Sequence, residues 1–378
     1  LRFPEFSGEW KKCIIQDYGE VITGNTPPTN NAEYYNNGSY LWASPADLGT
    51  GKKINDTKTK LSESGFKKTR IIPKGSILVT CIGSTIGKIG MAVETMSSNQ
   101  QINSIIVNEK SNNDFVYYAI SRAFPRYLSE VGVQAVPILS KSNFEKLPNY
   151  TTSIEEQDKT GYFLNLLDER IATQNKIIED LKKLKCAIIE KLYSKIQGKE
   201  YSYGQLFDVV NERNKQMEYY NILSASQEKG MVNRDDLNLD IQFERSNINT
   251  YKIVRKGDYV IHLRSFQGGF AFSDKLGVCS PAYTILRPNS LLEYSYLSYY
   301  FTSQRFIKSL IIVTYGIRDG RSINVEEWLN MKVVIPSKEH QLHTLNVLKR
   351  IDDKVENEEK YATCLSNQKQ YLLRQMFI

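Results

Sequence analysis

The feature that most constrains this chain is a pair of long apolar stripes with identical spacing. Positions 164, 167, 171, 174, 178, 181, 185, 188 and 192 advance by alternating steps of three and four. They hold Leu, Leu, Ile, Gln, Ile, Leu, Lys, Ile and Leu. Adding 184 gives 348, 351, 355, 358, 362, 365, 369, 372 and 376, which hold Leu, Ile, Val, Glu, Ala, Leu, Lys, Leu and Met. Seven of nine are apolar in both stripes, and the polar pairs (Gln174 with Glu358, Lys185 with Lys369) fall at the same two places. A stripe at 3.5-residue spacing calls for a long helix that buries one seam against a partner. Two such helices in one chain pair most simply with each other; the plainer alternative is that each packs on its own globular neighbour. Proline is absent from 149 to 280, so nothing interrupts the first helix between 154 and 196. A segment of about 40 residues reaches roughly 60 Å at 1.5 Å per residue, which makes it a ruler.

The remainder of the chain also repeats. At shifts of 182–184, Lys74-Gly75 falls on Lys256-Gly257, Ile77-Leu78-Val79 on Tyr259-Val260-Ile261, Gly87 on Gly269, and Ser98 on Ser280. Tyr117-Tyr118 falls on Tyr299-Tyr300, Asn143 close to Asn324, and Leu167-Asp168-Glu169-Arg170-Ile171 on Ile351-Asp352-Asp353-Lys354-Val355. Shared order at a nearly constant offset points to a duplication. Residues 1–153 and 201–336 read as similar mixed α/β domains, with short apolar runs such as 76–82 and 331–335 and turn signals at Pro73-Lys74-Gly75 and Arg255-Lys256-Gly257. Residues 154–200 and 337–378 are the helical segments. The fold class expected is α+β, with two look-alike globular domains and two long helices in a pseudo-twofold internal repeat.

Charge follows the same division. Residues 1–153 carry 17 basic and 13 acidic groups and 201–336 carry 16 and 14, whereas the helical segments carry 9 and 9, then 7 and 6. The excess that makes the chain +7 therefore sits mainly on the globular parts, where a phosphate-contacting surface needs it. No apolar run approaches the roughly 18–20 residues that cross a bilayer; the longest, at 77–82 and 310–313, are strand-sized. The opening Leu1-Arg2-Phe3-Pro4 has no apolar signal core, and the five cysteines (13, 81, 186, 279, 364) lack a Cys-x-x-Cys spacing. Both features fit a chain of the reducing cytoplasm.

Catalytic patterns are missing. His340 and His343 stand at i,i+3 without the Glu and third ligand of a zinc hydrolase, so no metal is assigned. His262 reads as a packed or edge residue. The run Gly83-Ser84-Thr85-Ile86-Gly87-Lys88 is too short between its glycines for a phosphate loop of the nucleotide-binding kind, and Ile89 stands where Ser or Thr would hold magnesium. A strand, glycine-rich turn, strand pattern nevertheless recurs at 76–93 and 258–272. Such turns let backbone N–H groups approach phosphate and let polar side chains reach base edges, although each alone could be an ordinary hairpin. Ser84, Thr85 and Lys88 in the first turn and Arg264, Ser265 and Gln267 in the second are accordingly candidate DNA-contacting residues. So are Gln134 and Lys141, and in the matching second-half loop Tyr315, Arg318 and Arg321. Arg318 and Arg321 could fork onto guanine or phosphate, and Arg318 could equally pair with Asp319. The seam candidates are Leu167, Ile171, Ile178, Leu181, Ile188, Ile351, Val355, Leu365 and Leu372. Tyr117-Tyr118 and Tyr299-Tyr300 read as helix-core residues rather than base-stacking ones.

Two variable domains alternating with two similar long helices resemble the specificity subunit of type I restriction–modification enzymes. The resemblance extends to Leu-Arg-Phe-Pro-Glu-Phe-Ser-Gly-Glu-Trp (1–10), Tyr18-Gly19-Glu20 with Gly24-Asn25-Thr26-Pro27, the Lys-Gly-(Ser/Asp) strand entries, Ser280-Pro281-Ala282-Tyr283, and Glu155-Glu156-Gln157 leading into 167–171. The second half lacks the Phe-Pro-x-Phe…Trp opening, and the glycine loops differ between halves. The resemblance implies a non-catalytic reader of double-stranded DNA. Target recognition domains at 1–153 and 201–336 would be separated by an antiparallel coiled coil of the spacer helices at 154–200 and 337–378. It also implies two modification subunits that bind S-adenosylmethionine and methylate adenine, and two ATP- and magnesium-dependent translocating and cleaving subunits, with no cofactor on this chain. A methylation-only specificity subunit and a protein-binding coiled-coil scaffold are the alternatives.

Overall fold

The computed structural model describes residues 1–131, 138–226, 229–236, 245–262, 269–315 and 322–377, with the backbone alone for 130–131, 245–247, 315 and 322. The chain forms two compact units. The first is Leu1–Asn175 with Lys360–Ile378, and the second is Lys176–Glu359. Each unit therefore owns one half of each long helix.

In the first unit the order is β1 (Lys11–Ile14), α1 (Ile15–Tyr18), β2 (Gly19–Thr23), β3 (Tyr40–Ala43), β4 (Lys53–Ile54), β5 (Thr59–Leu61) and α2 (Glu63–Phe66). There follow β6 (Ile77–Thr80), β7 (Ile89–Ala92), β8 (Ser97–Ser98), β9 (Ile102–Val107), α3 (Asn113–Val131), α4 (Lys141–Glu145), β10 (Pro148–Thr151) and the long α5 (Ile154–Ser194). A sheet of order β2-β9-β6-β7-β4 and a smaller one of order β5-β3-β8 form the body. β1 pairs antiparallel with β10, with Lys11 opposite Thr151.

The second unit runs β11 (Lys199–Ser202), α6 (Tyr203–Leu206), β12 (Phe207–Val210), β13 (Leu223–Ser226), β14 (Gly230–Asn233), β15 (Lys252–Val254), β16 (Tyr259–Ile261) and β17 (Phe270–Phe272). It continues with β18 (Gly277–Cys279), β19 (Thr284–Pro288), α7 (Tyr296–Tyr300), α8 (Gln304–Ser309), β20 (Thr314–Tyr315), β21 (Ser322–Ile323), α9 (Val325–Asn330), β22 (Lys332–Ile335) and the long α10 (Lys338–Met376). Its main sheet has the order β12-β19-β16-β17, the counterpart of β2-β9-β6-β7, and β11 pairs with β22 as β1 does with β10. The duplication read in the sequence is thus a duplication of strand order.

The sequence explains each step. Ile77, Leu78 and Val79 are fully buried on both faces of β6, a central strand without alternation. Gly75 and Gly257, at φ +86° and +93°, make the turns into β6 and β16. The apolar run Leu310–Val313 forms a turn of 3-10 helix rather than a strand. It follows α8 directly, and Ile311 and Ile312 are exposed, so no sheet neighbour rewards extension.

Both readings of the stripes hold within each unit. Leu164, Leu167, Leu372, Leu373 and Met376 join the core of the first unit, together with Phe115 and Tyr118. Ile188, Ile189, Leu345, Leu348 and Ile351 join the core of the second, together with Tyr296 and Trp328. The helix halves pack on each other and on the globular body at once.

Candidate nucleic-acid interface and helix seam

The pairing of helix halves is antiparallel in each unit. In the first, Asp168 bonds Lys369 and Arg170 bonds Tyr361; in the second, Lys182 meets Glu359 at 2.7 Å and Lys185 meets Asp352. Leu167, Ile171, Ile178, Leu181, Ile188, Ile351 and Leu372 are half-buried, and Val355 and Leu365 are buried. Exposed neighbours such as Ile177 and Leu184 lie off the stripe.

The lysine pair among the polar interruptions has a purpose that the spacing alone does not reveal. In the first unit the Lys369 ammonium bonds one oxygen of Asp168, and the other oxygen accepts the Tyr118 hydroxyl at 2.6 Å. Lys369 also lies 5.4 Å from the Tyr118 ring. In the second unit Lys185 bonds Asp352, whose other oxygen accepts the Tyr299 hydroxyl at 2.7 Å, with Lys185 5.3 Å from that ring. Burial, then the hydrogen bond to the carboxylate, pushes both phenols well above their usual range. Each cluster ties one long helix to the other and to a helix of the body. The tyrosine correspondence is therefore Tyr118 with Tyr299, one residue from the alignment of the two Tyr-Tyr pairs. The first unit adds Lys52, whose ammonium lies 2.5 Å from Asp114, 3.0 Å from Asn165 Oδ1 and 4.5 Å from the Tyr118 ring. Burial lowers its pKa even though Asp114 opposes this.

The first glycine loop joins β6 to β7. Gly83 and Gly87 adopt φ +95° and +90°, where a side chain is strained. Ile86 N–H donates to Gly83 O at 3.1 Å, Gly87 N–H to Thr80 O at 2.9 Å, and Lys88 N–H to Thr85 O at 3.2 Å. These amides are consumed inside the turn. The expectation that the glycines bring a cradle of backbone donors to phosphate is thus corrected for those three groups: here glycine solves a chain-reversal problem. Of the candidate side chains on this loop, Ser84 is exposed and Thr85 and Lys88 are half-exposed. Behind the loop a cavity of about 360 Å³ is lined by Ile86, Gly87, Lys88, Tyr117, Phe124 and Leu128. Lys141 opens α4, and Glu145 lies 3.5 Å from its ammonium. Gln134, Arg264, Ser265, Gln267, Arg318 and Arg321 lie outside the described residues, as does the side chain of Tyr315, whose backbone is in β20. His262 follows β16 and meets Tyr283 edge to face at 5.1 Å. Among the described residues no cluster of His, Cys, Asp or Glu could hold a metal ion, and no helix is long and apolar enough to cross a membrane.

Residues 7–183 match the family described as the type I restriction modification DNA specificity domain. The match takes in 177 of the 378 residues, a little under half of the chain, and is a likeness to that family. It is 32% identical over 151 residues to the type I restriction enzyme HindI specificity subunit of Haemophilus influenzae, covering 39% of this chain and 32% of that protein. It is 28% identical over 190 residues to the EcoR124I/EcoR124II specificity subunit of Escherichia coli, covering 48% and 45%. These matches take in less than half of either relative's length. The MjaVIII specificity subunit of Methanocaldococcus jannaschii is 24% identical across 95% of this chain and 89% of its own. The fold is shared with the type I restriction–modification S subunit of M. genitalium, with TM-score 0.55, 16% identity and coverage of 98% and 96%. It is shared also with a chain from a structure of complex assembly in the type I R-M system, with TM-score 0.63, 14% identity and 97% coverage of both.

The residues of the opening motif are anchors. Arg2 forks onto Glu156 with two bonds of 2.7 Å, and Trp10 Nε1 donates to the same carboxylate at 3.2 Å. Burial would raise the Glu156 pKa, but the bonds from Arg2, Thr152 and Trp10 together hold it below the usual carboxylate range. Gln157 and Gln341 are a second repeated anchor. Gln157 Oε1 accepts Asn112 N–H at 3.0 Å ahead of α3, and Gln341 Oε1 accepts Glu293 N–H at 2.8 Å ahead of α7. Gln157 stands in the Glu155-Glu156-Gln157 run, and the sequence signal for Gln341 is that it lies 184 residues beyond Gln157.

Proposed function

We propose that this chain is the non-catalytic DNA-reading specificity subunit of a type I restriction–modification complex. Residues 1–153 and 201–336 act as target recognition domains for the two halves of a split site, and 154–200 and 337–378 act as spacers that set the gap. The observation that carries this reading is the shared strand order, β2-β9-β6-β7 and β12-β19-β16-β17, in units that each incorporate half of both long helices. Duplicated scaffolds with unlike loops suit two half-sites of different sequence. Basic loop residues position each domain on phosphate while a few side chains read base edges. Ser84, Thr85, Lys88, Gln134 and Lys141 serve one half, and Arg264, Ser265, Gln267, Tyr315, Arg318 and Arg321 the other. Two modification subunits supply S-adenosylmethionine-dependent adenine methylation, and two translocating subunits supply ATP- and magnesium-dependent cleavage. This chain binds none of those cofactors.

Mapping methylated adenines genome-wide with and without the gene tests the reading. A two-part motif that vanishes with the gene is expected, and an unchanged methylome defeats it. Exchanging 1–153 for another such domain should alter one half-site only. Deleting a heptad around Ile178 should shorten the permitted gap and leave both half-sites intact.

A further inference from the structure

Each main sheet has a short turn leading into its second strand, β9 or β19, and the two turns share one architecture with different chemistry. In the first unit Asn99 Oδ1 accepts Gln101 N–H at 3.0 Å, and Ile102 N–H closes the turn on Asn99 O at 3.2 Å. In the second, Ser280 Oγ accepts Ala282 N–H at 3.3 Å, and Tyr283 N–H closes on Ser280 O at 3.1 Å. Asn99-Gln100-Gln101 thus occupies the place of Ser280-Pro281-Ala282, at an offset of 181 rather than 182.

The hydrogen bonds of the first turn fix which way its amides face. Because Asn99 Oδ1 is bound to a backbone N–H, the Asn99 NH₂ must be the group that meets Gln101, and it donates to Gln101 Oε1 at 3.1 Å. Gln101 therefore turns its own NH₂ outward, and this group has no acceptor among the described residues. It lies beside the glycine loop: Gln101 Nε2 is 3.5 Å from where a Cβ on Gly83 would stand, and Cys81 N–H donates to Gln101 O at 2.8 Å. Next to it, exposed Gln100 has its carbonyl engaged by the Thr26 hydroxyl. The turn thus offers pre-oriented donors with their acceptors already spent. In the major groove only guanine presents two adjacent acceptors, N7 and O6, with no donor on that edge, whereas adenine sets its amino group beside N7.

Resting on the proposed function, we propose that Gln101 is a specificity-determining residue of the first unit and donates from its NH₂ to the N7/O6 edge of a guanine in one half-site. Pro281 and Ala282 provide no such group, so the corresponding contact is missing from the second unit's turn.

The test uses the chain together with its modification subunit in a host whose adenine methylome is sequenced. Gln101→Glu keeps an oxygen toward Asn99 and replaces the outward donor by an acceptor. Methylation of motifs carrying guanine at one position of one half-site should fall about tenfold or more, with the other half-site unchanged. Gln101→Ala should relax the same position to other bases, and it decides the matter if the Glu variant yields no methylation at all. Two results overturn the inference: both variants retaining the parental motif with undiminished discrimination, or a change at a position that is not guanine. If the parental chain itself directs no gene-dependent methylation, the functional reading falls and takes this inference with it.

Discussion

The two units solve one packing problem with different materials. The first sets the single 19-residue α3 against its sheet, and the second uses the shorter α7 and α8. Yet Tyr118 of α3 and Tyr299 of α7 reach the matching carboxylates Asp168 and Asp352, each already held by a lysine from the other long helix. At the ends of the strands the units differ freely: glutamines occupy the turn of one and Pro-Ala the turn of the other. The contrast teaches that the scaffold is constrained where helices must register and unconstrained where loops meet solvent.

The largest way to break this comparison is in the cores. Trp328 and Phe144, each fully buried in the short helix before the last strand of its unit, are counterparts 184 residues apart. Trp328 stacks on Tyr203 at 4.2 Å. Trp328→Ala and Phe144→Ala should each cost about 3–5 kcal/mol in denaturant unfolding, with the Trp change the greater. Equal small losses would mean that the aromatic clusters do not hold the units.

The helix clusters come next. Asp168→Asn and Asp352→Asn should cost about 1–3 kcal/mol by removing a charged acceptor from a tyrosine and a lysine. Asp168 should lose more, because its side chain is 22% exposed against 37% for Asp352 and Lys52 stands close by. A reversed order would assign the difference to something other than burial.

The smallest effect concerns acid. Glu156 has a depressed pKa in the folded chain, so its contribution is present above the unfolded value of about 4.3 and is lost as pH falls through the folded value. The position 184 residues on is His340, which is exposed. Glu156→Gln should flatten the acid side of the stability profile followed by ring signals of Trp10, with no matching change around Trp328. An unaltered acid slope would show that the Arg2–Glu156 bonds do not couple to folding.

Much of this molecule is legible in its sequence. A seam of apolar residues repeats along the helix itself, so local periodicity announces α5 and α10 and their shared spacing. Asp168 and Asp352, and Lys185 and Lys369, can be aligned for the same reason, since no loop intervenes to shift the count. The glycines at 75 and 257 announce turns because only their lack of a side chain makes the left-handed backbone inexpensive.

What the tertiary structure alone decided lies wherever loops change length. The offset between units is 188 from Lys11 to Lys199, 182 from Ile77 to Tyr259, 181 from Asn99 to Ser280 and 184 from Ser140 to Asn324. One constant shift therefore misplaces the tyrosines by one residue. It also sets Asn143 close to Asn324, although the N-cap that matches Asn324 is Ser140. The direction of the Gln101 amide and the spent donors of the glycine turn depend on partners brought together by folding. Composition and period carry the scaffold because those signals are local. Hydrogen-bond direction is a property of three-dimensional neighbours, and only the folded chain supplies them.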